Sequence, residues 1–284
     1  MTLREHIRIA YSNKTAIGHF NASTLDGIWA IADAAQELKL PVIVGLSEGE
    51  RDYVGVPEAA AIIQSIRKER SQDIFLNADH TYSFDRVKQA IDAGFDAVIF
   101  DGAKLSLEEN IAIAKKCVEY ARTSGRDVIV EGELGFIGQS SKVLDEIPAG
   151  AVITEAQMTK AEDAARFVSE TGVDLLAPAV GNIHGMIRGG DPALNVKKVK
   201  EISDAVGISL VLHGSSGNAM DEVEKTIENG VSIVHVSTEL RLAYRSALVQ
   251  SLSGDPEEVA AYKYLKPAKL AMQKVVMEKL KAYN

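Results

Sequence analysis

Ile208-Ser-Leu-Val-Leu-His213-Gly-Ser-Ser-Gly217 is a short apolar run of strand type that ends on a histidine and opens into a turn of glycine and serine. The same layout occurs twice upstream. Ile74-Phe-Leu-Asn-Ala-Asp-His80 ends on His80, and Asp174-Leu-Leu-Ala-Pro-Ala-Val-Gly-Asn-Ile-His184-Gly runs through to His184. Outward from these three runs, short apolar stretches alternate with longer stretches of helical period along the whole chain. Strands are predicted at Ala16–Phe20, Pro41–Leu46, Ile74–Ala78, Ala97–Phe100, Val128–Glu131, Leu175–Ala179, Ser209–His213 and Ser232–Val236. Helices are predicted at Thr24–Leu38, Pro57–Arg70, Phe84–Ala93, Leu107–Ser124, Lys160–Thr171, Val196–Ala205 and Asp221–Glu228. Ser83 is placed to cap one helix, and Gly94, Gly125, Gly172 and Gly230 fall just past helix ends.

Strand–helix alternation implies parallel pairing with right-handed crossovers. Eight such units in 284 residues predict an α/β fold, a closed (β/α)8 TIM barrel, over an open doubly wound sheet. Val42-Ile-Val and Val128-Ile-Val are continuously apolar, as strands buried on both faces are. No low-complexity linker divides the chain, so residues 1–284 are read as one domain. Pro256–Asn284 supplies additional C-terminal helices, free to pack under the barrel, to cover the site or to join a partner subunit. Gly135–Lys160 and Gly185–Asn195 are long loops of the kind that act as lids.

Composition narrows the function classes. Hydrophobic content of 46% and charged content of 25% are those of a soluble globular chain with a large core. A formal net charge of −9 argues against nucleic acid as a general partner, but not against a phosphorylated substrate held by a local cluster of donors. The single cysteine, Cys117, lies on a helical apolar face and excludes an intrachain disulfide framework. No segment is long and apolar enough for a membrane span. Met1-Thr-Leu-Arg-Glu-His6 has no signal-type apolar stretch, which makes the cytoplasm the expected location.

Catalytic groups of a barrel gather at the C-terminal ends of its strands. His80, His184 and His213 end strands three, six and seven. Each alone reads as a hydrogen-bonded structural residue. Together, three neutral imidazoles converging on one point make a catalytic zinc site with an open fourth position. Asp79 precedes His80 and is either a loop cap or a group that faces substrate. Asp101 and Glu133 end strands four and five. They would orient the zinc imidazoles, offer an alternative metal position, or form barrel-top salt bridges. His213-Gly-Ser-Ser-Gly217 with Gly214, Ser215 and Ser216, and Val236-Ser237-Thr238 after strand eight, occupy the recurrent phosphate position of barrels. Arg241 and Arg245, four apart on the next helix, are candidates for a second, distal phosphate or else a solvated face.

These residues together resemble the class II ketose-bisphosphate aldolases, which include fructose- and tagatose-bisphosphate aldolases. The matches run nearly end to end. They include Phe20-Asn21, Pro41-Val-Ile with Ser47-Glu-Gly49, Asp79-His80, Phe100-Asp101-Gly102 with Glu109-Asn110-Ile111, and Glu131-Gly-Glu133-Leu-Gly135. They continue through Gly181-Asn-Ile-His184-Gly185, Leu212-His-Gly-Ser-Ser-Gly217 and Ser237-Thr-Glu-Leu240. The resemblance implies Zn2+ held by His80, His184 and His213, and Asp79 as the proton donor at the C4 oxygen. It implies that Gly185, Gly214, Ser216, Ser237 and Thr238 hold dihydroxyacetone phosphate, with Asn21, Ser47, Ser215, His235 and Val236 also at the substrate. A monovalent cation (Na+ or K+) near the phosphate and a homodimer or higher homo-oligomer follow from the same likeness. The implied reaction is reversible cleavage of a ketose 1,6-bisphosphate, fructose 1,6-bisphosphate first, as in glycolysis. A metal-dependent phosphosugar epimerase or isomerase, and a non-catalytic sugar-phosphate binding protein, are the alternatives.

A Schiff-base aldolase would need a desolvated lysine at a strand end. The strand ends carry His, Asp and Glu, and Lys104 and Lys142 lie in loops. Two departures from the family pattern stand out. Ile233-Val-His235 replaces the usual Lys-x-Asn of strand eight, which makes His235 a candidate for altered substrate preference. After Glu133, the acidic loop residue expected to act on C1 has only Asp145 or Glu146 as counterparts.

Overall fold

Side chains alternate across a strand with period two, and here that alternation sorts the sequence into layers. The computed structural model describes residues 1–138, 140, 142–147, 151 and 154–284. Eight parallel strands form a closed barrel: β1 Ile17–Asn21, β2 Val42–Leu46, β3 Ile74–Thr81, β4 Ala97–Phe100, β5 Ile129–Leu134, β6 Leu175–Pro178, β7 Leu210–Leu212 and β8 Val231–Val236. They pair in chain order, and β8 closes on β1 through the register Ile17↔Ile233 and His19↔His235. Outward side chains such as Phe20, Val44, Leu76, Val98, Val130, Leu176 and Val234 are buried against the surrounding helices. Burying each such side chain stabilises the fold by about 1.5–3 kcal/mol.

The inward series decides where chemistry can sit. Its lowest layer is apolar: Ile17, Ile43, Phe75, Ala97, Ile129, Leu175, Val211 and Ile233. Two residues further along, five of the eight strands turn polar, with His19, Asn77, Glu131, His213 and His235 all buried. Two further residues bring Asn21, Asp79 and Glu133 to the mouth. The barrel is thus sealed by hydrocarbon below and lined by polar groups above.

Helices α2 Leu25–Leu38, α4 Val56–Arg70, α5 Phe84–Ala93, α6 Leu107–Thr123, α7 Ala161–Thr171, α8 Val196–Val206 and α9 Met220–Glu228 lie where helical period predicts them. Ser83 caps α5 by accepting the Arg86 N–H, and Gly94 and Gly172 end α5 and α7 with φ of 105° and 70°. Two further helices have no counterpart in the reading above, α1 Leu3–Asn13 and α3 Glu48–Val54, and the helix expected after strand eight to carry Arg241 and Arg245 is α10 Thr238–Gly254. Thr2 and Glu5 form a capping box on α1, which inserts Leu3, Ile7 and Ala10 into the lowest layer and plugs the barrel. The C-terminal stretch therefore packs neither under the barrel nor over its mouth. Short α11 Ala261–Tyr264 leads into α12 Lys266–Ala282, which lies on the flank against α2 and α10.

The two long loops meet each other above β5 and β6. Val143–Leu144 pairs in parallel with Met186–Ile187, joining both loops into one small ribbon beside the mouth. Gln139 and Ser141 of the first loop, and residues 148–150 and 152–153, lie outside the described residues.

Candidate metal centre and active site

His80 sits at an irregularity of β3. The register with β4 shifts between Ala78 and Thr81, and His80 has φ of +39°. A non-glycine residue there is strained, and such outliers cluster at functional sites. The kink has a geometric result: consecutive residues Asp79 and His80 both line the same cavity instead of diverging to opposite faces of the strand. Arg51, fully buried on α3, holds the kink by donating to the carbonyls of Leu46 and Asp79 and to Thr81 Oγ1.

His184 and His213 come from the loops after β6 and β7. Asn182 ties those loops together, donating to the His213 carbonyl at 2.9 Å. Gly214 (φ +60°) allows their close approach, since a Cβ there would lie 2.2 Å from the Ile183 carbonyl oxygen.

One nitrogen of each imidazole is occupied. His80 Nδ1 donates to Asp101 Oδ2 at 3.0 Å and lies 3.3 Å from Glu133 Oε2. His184 Nδ1 donates to the Gly138 carbonyl at 2.7 Å, and His213 Nε2 donates to Glu131 Oε1 at 2.7 Å. That leaves Nε2, Nε2 and Nδ1, and the three residues bring ligand nitrogens within 4.8 Å of one another. Such partners fix the tautomer and ring orientation that a metal ligand needs.

Other groupings of possible ligands occur among the described residues: His19, Asp79 and His235, and Glu131, His213 and His235. Ring orientation argues against both. A nitrogen lone pair lies in its ring plane, and His19 and His235 stack 3.4 Å apart with planes 3° apart. His213 and His235 stack at 4.1 Å and 18°. By contrast, the planes of His80, His184 and His213 are inclined at 79°, 89° and 55° to one another, as convergence on one ion requires. A fourth grouping, His80 with Asp101 and Glu133, uses the His80 nitrogen that those carboxylates already hold.

Burial, with His80 and His213 adding to it, depresses His184 to about 3, and burial depresses His19 to about 4, so both are neutral at neutral pH. Burial also works against charge on His80 and Asp79. Their mutual attraction overcomes it, helped for His80 by Glu133 and Asp101 and for Asp79 by His235 and His19. The Asp79 carboxyl is consequently held well below the usual carboxylate range. Its Oδ2 accepts from Asn21 Nδ2 at 2.8 Å, and its Oδ1 stands 3.4 Å from His235 Nδ1.

The cavity above these groups has a volume of about 470 Å3. Gly185, Gly214, Ser216, Ser237 and Thr238 line one side of it. Ser216 Oγ accepts the Ser237 and Glu239 N–H groups, clasping the β7 loop to the start of α10. Ser237 Oγ is buried and has no partner among the described residues, beside the N-terminus of a 17-residue helix. A helix N-terminus with a free hydroxyl suits a phosphate.

The family model for class-II fructose-bisphosphate aldolase matches residues 1–284. The chain belongs to the class II fructose-bisphosphate aldolase family. Among curated relatives, the fructose-bisphosphate aldolase of Staphylococcus aureus strain Mu50 is 35% identical over 287 residues, covering 100% of this chain and 97% of that protein. Among solved structures, the YdjI aldolase of Escherichia coli K12 superposes with a TM-score of 0.81 at 26% identity, covering 100% of this chain and 97% of that one. The Campylobacter jejuni fructose-bisphosphate aldolase, at 19% identity and a TM-score of 0.84, covers 99% of this chain and 94% of that one and shares the fold. The chain is therefore an aldolase, a carbon–carbon lyase of carbohydrate metabolism whose family acts on phosphosugars.

Set against that family, the predicted site residues fall into three groups. Asn21, Ser47, Asp79, His80, His184, Gly185, Gly214, Ser216, His235, Ser237, Thr238 and Arg241 line the cavity. Asp101, Glu133 and His213 stand behind its lining, in contact with the imidazoles. The remainder lie outside the cavity lining. Val236 faces outward into the strand–helix core, because it alternates with His235. The Ser215 hydroxyl is taken up by the His235 carbonyl at 2.7 Å. Arg245 is exposed and outside the cavity, a full turn beyond Arg241. Asp145 and Glu146 are exposed, Asp145 pairing with Arg188 at 2.9 Å, and neither lines the cavity.

Four residues escaped the reading of the sequence. His19 and Glu131 are inward positions of predicted strands, legible by counting in twos from Asn21 and Glu133. Glu50 and Arg51 follow Ser47 on a helix that the sequence left as loop. Gly45 leaves room for His19, since a Cβ there would lie 2.0 Å from its ring.

Proposed function

We propose that the chain catalyses zinc-dependent, reversible aldol cleavage of a ketose 1-phosphate or 1,6-bisphosphate, releasing dihydroxyacetone phosphate and an aldehyde. The observation that carries this reading is the pairing pattern of the three histidines. Each has one nitrogen fixed by a carboxylate or carbonyl, and the other faces a shared point, with His80 Nε2 and His213 Nδ1 3.3 Å apart. His80, His184 and His213 would hold the zinc, His80 and His213 giving up a proton to do so, with one position left open. When bound, the ion supplies a Lewis acid for the negative charge that C3 inherits as the C3–C4 bond breaks.

The remaining work belongs to the chain's own residues. Asp79 takes the proton of the C4 hydroxyl in cleavage and returns it in condensation. Asn21 and His235 orient that carboxylate from either side. Gly185, Gly214, Ser216, Ser237 and Thr238 bind the phosphate of the dihydroxyacetone half at the α10 N-terminus, with Na+ or K+ as its companion ion. Exposed Leu242, Val249 and Leu252 on α10, with Val259 and Tyr262 beyond it, support association into a homodimer or higher oligomer. One buried thiol and no partner for it suit the cytoplasm.

The test uses purified protein, fructose 1,6-bisphosphate and dihydroxyacetone phosphate. Cleavage, and exchange of the C1 proton of dihydroxyacetone phosphate in D2O, should vanish with a chelator and return with zinc, assayed with and without Na+ or K+. Both activities surviving complete metal removal would refute the zinc reading.

His235 is buried, lines the cavity and leaves Nε2 without a partner among the described residues. His235→Asn should change the relative rates across a panel of aldehydes, since a smaller amide replaces a ring held between two others. Unchanged relative rates would remove His235 from specificity.

A further inference from the structure

The two ends of the cavity differ in charge. Toward β6, β7 and β8 it offers backbone N–H groups, serine hydroxyls and a helix N-terminus. Toward β1 and β2 it offers Glu50 from α3 and Arg241 from α10. Arg241 is the one lysine or arginine among the described residues that line the cavity. The residues outside the description, Gln139, Ser141, Pro148, Ala149, Gly150, Val152 and Ile153, carry no charged side chain.

Arg241 is not free to meet an anion unopposed. Its Nη2 donates to Glu50 Oε1 at 2.6 Å. Glu50 in turn is locked in place. Its Oε2 accepts from Asn21 Nδ2 at 3.0 Å and from both the backbone N–H and the hydroxyl of Ser47 at 2.9 Å. Three hydrogen bonds to one oxygen hold the carboxylate against the guanidinium. Arg241 and Glu50 thus oppose each other where they stand, and a dianionic phosphate placed against the guanidinium would also meet the fixed Glu50 carboxylate.

The position of Glu50 along the substrate follows from Asn21. The same Nδ2 donates to Asp79 and to Glu50, which places Glu50 one amide away from the group assigned to the C4 oxygen. Glu50 and Arg241 therefore face the carbons beyond C4, the half that leaves as the aldehyde. A carboxylate, a guanidinium, an amide and a serine hydroxyl form an array of donors and acceptors matched to hydroxyl groups.

We propose that the aldehyde half of the substrate is an uncharged hydroxyaldehyde rather than a phosphorylated one, and that Glu50 sets this choice. This rests on the aldolase reading above and narrows its two substrate classes to ketose 1-phosphates. The pair is 191 residues apart in sequence, which is why Arg241 alone suggests a distal phosphate site.

The test is a ratio. The zinc-loaded enzyme condenses dihydroxyacetone phosphate with D-glyceraldehyde or with D-glyceraldehyde 3-phosphate, and kcat/KM is compared for the two. The native chain should favour the unphosphorylated aldehyde by about tenfold or more, and Glu50→Gln should shift the ratio toward the phosphorylated one by a similar factor. The amide keeps the shape and removes the charge that opposes Arg241. Both aldehydes are assayed on one preparation, so a loss of folded enzyme cancels from the ratio. A native preference for glyceraldehyde 3-phosphate, or a ratio unmoved by Glu50→Gln, overturns the proposal. Proton exchange at C1 of dihydroxyacetone phosphate needs no aldehyde and separates the two readings. Exchange with the wrong aldehyde preference sinks this inference alone, and no exchange in the native protein sinks the aldolase reading with it.

Discussion

His184→Ala is expected to empty the metal centre and to abolish cleavage. With His184 gone, two imidazoles remain, and the position that the Gly138 carbonyl prepared by fixing the third tautomer is lost. Losing only an outer partner of a ligand typically costs about 10–100-fold in metal affinity, and losing the ligand itself should cost more. His213→Ala should behave alike and also leave Glu131 buried without its donor, so a lower melting temperature is expected for that variant. Metal content per chain by elemental analysis, alongside cleavage rate, checks both. Full activity in a metal-free His184→Ala protein would end the zinc argument.

Asp79→Ala should do the opposite to the metal and nearly as much harm to the rate. The kink that aims His80 is held through the Asp79 carbonyl by Arg51, not through the Asp79 side chain. Zinc should therefore remain at the native level. Turnover should fall by about 10²–10⁴-fold, the usual contribution of a positioned proton-transfer group. Exchange at C1 of dihydroxyacetone phosphate, which does not use the C4 oxygen, should be largely retained. Metal lost from Asp79→Ala would instead make that carboxylate a structural element of the centre.

The fold was legible because its signal is local. Eight apolar runs, each bounded by a turn and followed by helical period, can be read a few residues at a time, and β4 was predicted to the residue. β3 was not. Its reading stopped at Ala78, because Asp79-His80-Thr81 is polar, while the strand continues to Thr81, which pairs with Phe100 of β4 beyond the kink. α1 was missed because its apolar positions, Leu3, Ile7 and Ala10, mean little until there is an open barrel end to plug. His19 was hidden inside a run read as core, though the same count of two that leads from Asn21 reaches it.

The candidate site divides along the same line. Residue type and spacing along the chain were enough to select His80, His184 and His213 and to put them at one end of a barrel, and the family resemblance added Asp79. Barrel closure decided everything that depends on a partner far away in sequence. It chose which nitrogen of His213 faces His80, by bringing Glu131 from 82 residues away. It decided that His235 stacks between His19 and His213 and cannot share an ion with them. It decided that Arg241 meets Glu50, so that a residue read as a phosphate ligand becomes half of a neutral pair. The physical reason is that periodicity fixes the face of a strand on which a side chain emerges. Hydrogen-bond partners, ring planes and charge cancellation are set only when strands distant in sequence become neighbours.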